Sequence, residues 1–262
     1  MKSNISKFIL IVVFISLISC KEKPSVKIIK PSDDRPNIVL ILADDMGFSD
    51  IGCFGSEIQT PNLDKLADNG LRYTQFYNTS RCCPTRASML TGLYPHQTGL
   101  GWMTRLDLGT TGYTGELNKE SVTLAEVLKN AGYSTYMSGK WHVNKDDQCE
   151  QNSPKYNWPL HRGFDKFHGI LRGSSDYFQP NNLYDGDTLI QPNEDFYFTD
   201  MVNDKASEFI NTHFKDKKEN PFFMYVAHIA PHWPLHAKPE DIAKYQGKYL
   251  EGWEVARKKR YE

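Results

Sequence analysis

Residues 37–47 read Asn-Ile-Val-Leu-Ile-Leu-Ala-Asp-Asp-Met-Gly, and they indicate which class of fold the chain adopts. The first seven form a short, continuous apolar run with β-branched side chains, which predicts a strand buried on both faces of a sheet. Asp44 and Asp45 follow directly at the end of this strand. Open α/β sheets bind ligands at the carboxyl ends of their strands, so the two carboxylates mark a candidate site.

Predicted strands and helices alternate along the rest of the chain. Gly70 closes the first helix, Ser121 caps the second, and residues 145–200 are predicted to be rich in loops. The alternation predicts an α/β fold, with a largely parallel, mixed sheet flanked by helices on both faces. The predicted strands are 37–43, 71–77, 133–137 and 221–227, and the predicted helices are 60–67, 121–130 and 203–214.

The most specific local pattern is residues 82–92, Cys-Cys-Pro-Thr-Arg-Ala-Ser-Met-Leu-Thr-Gly. Proline fixes φ and lacks an N–H, so Pro84 favours the first position of a helix and Cys82 is predicted just outside that helix's N-terminus. Free N–H groups and the positive end of the helix dipole favour an anion there. Arg86 adds a guanidinium whose geometry matches tetrahedral oxyanions.

Two further segments carry polar residues at the ends of predicted strands. Lys140 and His142 lie in Gly-Lys-Trp-His at residues 139–142, and His232 lies in Ala-Pro-His-Trp-Pro-Leu at residues 230–235. Parallel strands bring their carboxyl ends to one edge, so we expect these residues to converge with Asp44 and Cys82.

The Cys-x-Pro-x-Arg pattern of Cys82, Pro84 and Arg86, its Leu-Thr-Gly tail and these two segments resemble the type I, formylglycine-dependent sulfatases. The resemblance implies the sulfatase core of the alkaline phosphatase-like superfamily and the hydrolysis of sulfate esters, either of sulfated carbohydrates or of aryl sulfates. It implies that Asp44 and Asp45 ligate a divalent cation, usually Ca²⁺ with Mg²⁺ as an alternative, since hard oxygen ligands suit both ions.

The resemblance also implies a role for each remaining site residue. Cys82 would be converted by a formylglycine-generating maturation enzyme to formylglycine (3-oxoalanine), which is the nucleophile and also contacts the metal. Arg86 would hold the formylglycine diol, and His142 would hydrogen-bond one of its hydroxyls. Lys140 and His232 would bind the sulfate oxygens of the substrate.

The sequence departs from the family pattern toward its end. The family's second half normally supplies an Asp-Asn or Asp-His pair for the metal and another lysine for the sulfate, and neither is found here. Residues 239–262 predict a helix with no closing signal. We therefore expect residues 37–262 to be the N-terminal portion of an incomplete sulfatase domain.

The N-terminus predicts export. Residues 1–20 combine Lys2 and Lys7, an apolar run too short for a comfortable membrane span, and Leu-Ile-Ser-Cys, which looks like a bacterial lipobox ending at Cys20. The interpretation is a signal peptide followed by lipidation of Cys20 and a flexible tether over residues 21–36. The chain would then be a lipid-anchored bacterial lipoprotein, periplasmic or at the cell surface; an ordinary secretory peptide is the alternative.

The composition and the cysteine spacing argue against two kinds of ligand. A net charge of −1 and balanced lysines, arginines and acids argue against a nucleic-acid partner. No Cys-x-x-Cys spacing occurs, which argues against zinc. Two alternatives stay open: a phosphonate monoester or phosphodiester hydrolase of the same superfamily, and a lipid-anchored protein that binds sulfated glycans without turnover. Aromatic and cationic residues between Trp158 and Phe178 could either face a sugar or pack within the loops.

Overall fold

A computed structural model describes residues 35–216 and 219–262. The predicted signal peptide, Cys20 and nearly all of the predicted tether lie outside the described residues. The division of the chain at residues 20 and 36 therefore stays a prediction.

The fold is built on a six-stranded mixed sheet whose strands lie in the order β1-β6-β2-β3-β4-β5. Pairing from β1 through β6 and β2 to β3 is parallel, and the last two pairings are antiparallel. The strands are β1 (Ile38–Asp44), β2 (Ser134–Lys140), β3 (Lys166–Ile170), β4 (Leu183–Asp185), β5 (Thr188–Ile190) and β6 (Phe222–Pro231).

Helices cover the sheet on both faces, as the alternating pattern predicts. The prediction that β1 is buried on both faces is wrong, because β1 is an edge strand and Val39 and Ile41 are 49% and 53% exposed. Successive residues of β6 point to opposite sides: Phe223 belongs to a core with Ala87 and Leu90, and Met224 to a core with Phe198 and Val202. The helices are α1 (Pro61–Asp68), α2 (Cys82–Thr91), α3 (Pro95–Thr98), α4 (Leu124–Asn130), α5 (Phe198–Asp216), α6 (Pro239–Lys244) and α7 (Trp253–Tyr261).

The predicted strand at residues 71–77 is wrong. This segment is irregular and largely exposed to solvent: Leu71 is 85% exposed and Phe76 is 82% exposed. Its aromatic and apolar residues have high β propensity, but a strand is stabilised by cross-strand pairs, and the segment joins none of the described strands.

Several predicted boundaries also need correction. The second helix begins at Leu124 because Thr123, and not Ser121, caps it. Residues 145–200, predicted to be rich in loops, also contain β3, β4, β5 and the start of α5. The helix predicted after residue 239 is two helices, α6 and α7. In the described part of the chain, no helix has both the length and the apolar character needed to cross a bilayer.

Candidate active site

Asp44, Lys140 and Arg86 form a buried charged cluster at one edge of the sheet. Asp44 ends β1 and Lys140 ends β2, while Arg86 lies in the second turn of α2. Lys140 Nζ donates to Asp44 Oδ2, which also lies 3.3 Å from Arg86 Nη2. The side chains of Lys140 and Arg86 are fully buried. Two cations on one carboxylate leave a net positive charge, so the cluster attracts an anion.

Arg86 is fixed by four partners. Its Nη1 donates to the carbonyl oxygen of Lys140 at 2.6 Å and to the hydroxyl of Tyr225 at 3.1 Å. Its Nη2 donates to Asp44 and to the carbonyl oxygen of His228, both at 3.3 Å. The guanidinium thus ties α2 to the ends of β1, β2 and β6. Tyr225 is a site residue that the sequence motifs did not indicate, because it lies in the middle of an apolar strand.

Burial changes the acidity of Lys140. Removal from water lowers its pKa, the nearby Arg86 charge lowers it further, and Asp44 opposes both effects. The attraction of Asp44 is therefore what favours the charged ammonium in this buried position.

Cys82 is the first residue of α2, with Arg81 in the N-cap position. The prediction that Pro84 is the first residue of the helix is wrong by two residues, because Pro84 is the third. It still falls within the first turn, where a backbone N–H has no intrahelical acceptor, so the N–H that proline lacks costs no hydrogen bond. The Cys82 side chain is half-buried, whereas Cys83 is buried.

The two neighbouring thiols have opposite acidities. Hydrogen bonding from Cys83 lowers the pKa of Cys82, and His142 and the charge of Lys140 lower it further. The same contact with Cys82, together with burial, raises the pKa of Cys83. The Cys83 sulfur also lies 3.5 Å from the carbonyl oxygen of Trp102. Cys82 is thus the reactive thiol of the pair.

His142 brings its imidazole against Cys82. Sulfur atoms of Cys82 and Cys83 and a ring nitrogen of His142 lie within 4.8 Å of one another. The His142 backbone has a left-handed φ of 56°, and its N–H donates to the carbonyl oxygen of Leu171 at 3.1 Å. Burial lowers the pKa of His142, so the ring is neutral at pH 7. Among the described residues, its buried Nδ1 has no hydrogen-bond partner.

Asp45 and His232 form the outer rim of the site. Asp45 has a left-handed φ of 63° and an exposed carboxylate. His232 Nε2 lies 3.7 Å from Asp45 Oδ2. The Tyr177 hydroxyl donates to the His232 carbonyl oxygen at 2.8 Å and fixes the loop that carries this histidine. Tyr177, like Tyr225, could not be found from the motifs.

Two sets of side chains at this edge could ligate a metal ion. Cys82, Cys83 and His142 offer sulfur and nitrogen, which suit zinc, but the Cys83 thiol is protonated and turned toward Trp102. Asp44 and Asp45 offer carboxylate oxygens at consecutive positions, which suit Ca²⁺ or Mg²⁺. Their donor chemistry fits, although Asp44 Oδ2 already contacts Lys140 and Arg86, and Ca²⁺ takes about six to eight oxygen ligands where these residues supply two carboxylates.

The Sulfatase family model matches residues 36–261. The chain belongs to the sulfatase family. The match includes β1, the helix that begins at Cys82, and the loops of His142 and His232. The sheet and its flanking helices are accordingly the alkaline phosphatase-like sulfatase core.

Individual sulfatases resemble the chain over most of its length. The arylsulfatase of Klebsiella aerogenes is 35% identical over 84% of this chain and 48% of its own length. The N-acetylglucosamine-6-O-sulfatase of Bacteroides thetaiotaomicron is 32% identical over 88% of this chain and 36% of its own. A solved structure, Ps i-CgsB in complex with k-i-k-neocarrahexaose, superposes with a TM-score of 0.68 at 31% identity, covering 81% of this chain and 49% of that one. The chain spans about half the length of such proteins or less.

Proposed function

We propose that the protein hydrolyses sulfate esters to an alcohol and inorganic sulfate. The observation that carries the proposal is the placement of Cys82 at the N-terminus of α2, beside His142 and the cluster of Asp44, Arg86 and Lys140. A helix N-terminus and two buried cations favour a divalent oxyanion such as sulfate. Membership of the sulfatase family supports the same reaction.

The nucleophile in this proposal is formylglycine, made from Cys82 by a maturation enzyme. Its hydrated aldehyde supplies one hydroxyl for attack on sulfur and a second that allows the aldehyde to re-form, so that water completes turnover. A ring nitrogen of His142 lies within 4.8 Å of the Cys82 sulfur, which supports the assignment because this buried ring can hydrogen-bond an oxygen on residue 82. Neutral His142 can also accept a proton from that oxygen.

A divalent cation, Ca²⁺ or Mg²⁺, is part of the proposed site, held by Asp44, Asp45 and residue 82. When bound, the cation neutralises charge on the transferring group and lowers the pKa of an oxygen ligand.

The remaining site residues bind and orient the sulfate group. Lys140 points its ammonium at Asp44 and electrostatically favours an anion beside residue 82. His232 has its Nε2 3.7 Å from Asp45 Oδ2 at the outer rim, and in this proposal it contacts a sulfate oxygen. Arg86 is locked by four hydrogen bonds and stabilises developing negative charge without moving.

We propose sulfated carbohydrates or aryl sulfates as the substrates. The names of two similar proteins, an arylsulfatase and an N-acetylglucosamine-6-O-sulfatase, support these classes, as does the k-i-k-neocarrahexaose in the similar solved structure. Export and lipid anchoring through Cys20 are proposed from the sequence of residues 1–20. Both would place the protein where extracellular sulfated polysaccharides are met.

Hydrolysis of 4-nitrophenyl sulfate tests the proposal, in protein co-expressed with a formylglycine-generating enzyme. Cys82→Ala removes the nucleophile and should reduce turnover to the uncatalysed background. Cys83→Ala is the matched control and should retain most activity, because this thiol faces Trp102. Loss of activity only in Cys83→Ala would contradict the proposal, as would turnover of bis(4-nitrophenyl) phosphate without any sulfate release.

A further inference from the structure

The side chains of Cys82, Cys83 and His142 bring three soft donor atoms together at the start of α2. The two sulfur atoms and a ring nitrogen of the histidine lie within 4.8 Å of one another. Metal–sulfur bonds of about 2.3 Å and metal–nitrogen bonds of about 2.0 Å place the donors of one tetrahedral ion roughly 3.5 to 4 Å apart. Small rotations of these side chains therefore suffice to enclose a single ion.

A fourth soft donor lies beside Cys83. The Cys83 sulfur is 3.7 Å from Met103 Sδ and 3.5 Å from the carbonyl oxygen of Trp102. The orientation that turns this thiol toward Trp102 thus also places it against a thioether. Zinc sites are built from cysteine, histidine and carboxylates, and Ca²⁺ and Mg²⁺ take oxygen ligands. Thiolate and thioether sulfur together favour Cu⁺.

The charges around the thiols also favour a monovalent ion. Cu⁺ held by two thiolates forms a group with one negative charge. The neighbouring cluster of Asp44, Arg86 and Lys140 contains two cations and one carboxylate, so its net positive charge offsets that of the copper group. A thiol that coordinates a metal releases its proton to solvent, so the proton on the free Cys83 thiol does not prevent binding.

The donors are positioned by the fold and not by an ion. Cys83 and His142 are buried, and the His142 ring is held by Gly173, where an added Cβ would lie 2.5 Å from ring atoms. Cys82 is half-buried and gives an ion access from solvent. Since most of the site is in place before binding, little side-chain ordering opposes the ion.

We propose that the protein in which residue 82 is still a cysteine binds one Cu⁺ ion through Cys82, Cys83, His142 and Met103. The site is lost when the Cys82 sulfur is lost. Bound copper would also cover the sulfur that a maturation enzyme must oxidise, and so hold the unmodified protein in an inactive form. This last consequence rests on the proposed function, whereas the binding site itself does not.

A copper titration of protein expressed without a formylglycine-generating enzyme tests the site. Cu⁺ is supplied anaerobically against bicinchoninate as the competing chelator, after mass spectrometry has verified the Cys82 thiol. We expect one tightly bound ion per chain and an ultraviolet absorption from thiolate-to-copper charge transfer. Cys82→Ala and Cys83→Ala should each weaken binding by about tenfold or more, because even the loss of a group that only supports a ligand costs that much.

Met103→Leu separates a copper ligand from a packing residue, because leucine has a similar volume and no sulfur. It should weaken Cu⁺ binding by less than the two cysteine variants do. Cys53→Ala is the control and should leave the affinity unchanged, since this half-buried thiol lies outside the cluster. Far-ultraviolet circular dichroism should show that all variants fold.

Unchanged affinity in Cys83→Ala or in Met103→Leu would overturn the proposal, as would loss of the bound ion in Cys53→Ala. The titration measures no turnover and uses unmodified protein. Its failure is therefore distinct from failure of the proposed function, which is measured on the matured protein.

Discussion

At the scale of single residues, the site is held by groups that the motifs do not contain. Asp44, Cys82, Arg86, Lys140 and His142 come together as the sequence predicts, while Asp45 and His232 meet at the rim. Their roles in catalysis stay predictions. Tyr177, Tyr225 and Gly173 support these residues through contacts across long stretches of sequence. A local pattern cannot reveal such contacts, because they depend on how the strands are ordered.

Gly173 provides a test at this scale. A Cβ added there would lie 2.5 Å from Cε1 and Nε2 of the His142 ring, so Gly173→Ala should displace the imidazole from residue 82. We expect a loss of kcat on 4-nitrophenyl sulfate of about tenfold or more, with little change in KM, since a small misplacement of a catalytic group is costly.

The control for this variant is Gly70→Ala, whose added Cβ would meet only the Leu66 carbonyl oxygen at 3.0 Å. Urea unfolding should show both variants folded. Unchanged kcat in a folded Gly173→Ala protein would contradict the role given to the His142 ring.

At the scale of elements, long apolar strands and the helix that begins at Cys82 could be predicted from the sequence. Three-residue strands could not, and one segment was predicted as a strand that does not form. β6 is a long apolar run whose burial the composition reveals. β1 is a similar apolar run, but it is an edge strand that leaves Val39 and Ile41 about half exposed, and an apolar run does not tell an edge strand from a central one. β4 and β5 have three residues each, which is too short for a periodicity to show among polar neighbours. The prediction for segment 71–77 fails for the opposite reason: its residues have high strand propensity, but none of the described strands pairs with it.

The capping of α4 is testable by substitution. Thr123 Oγ1 accepts from the Glu126 N–H at 3.1 Å and donates to the Arg162 carbonyl oxygen at 2.8 Å, while Glu126 accepts from the Thr123 N–H. Thr123→Ala should lower the free energy of unfolding by about 1 to 2 kcal/mol, as measured by urea denaturation. Thr110→Ala, at an exposed loop position, should change it little. Equal effects in the two variants would show that the capping box is not stabilising.

At the scale of the whole molecule, two apolar cores fix the sheet between its helices and bury several histidines in neutral form. Burial lowers the pKa of His142, His168 and His228. The unfolded chain binds protons at these positions below about pH 6.5, whereas the folded chain resists doing so. Their contribution to stability is therefore present above the unfolded pKa and is lost as pH falls toward the folded values.

The expected result is a fall in the urea midpoint between pH 7.5 and 5.5. Carboxylates with a lowered pKa, such as Glu57 beside Arg260, lose their contribution to stability only below the ordinary glutamate pKa of 4.5, outside this window. A midpoint that rises as pH falls through the window would show that the buried histidines are not neutral in the folded protein.

The most direct test of formylglycine as the nucleophile is the mass of the peptide that contains residues 81–86. The peptide is taken from protein matured in the presence of a formylglycine-generating enzyme. Conversion of the Cys82 thiol to an aldehyde should lower this mass by about 18 Da, and fragmentation should place the change at Cys82 with Cys83 intact. An unmodified Cys82 thiol in protein that hydrolyses sulfate esters would contradict the account.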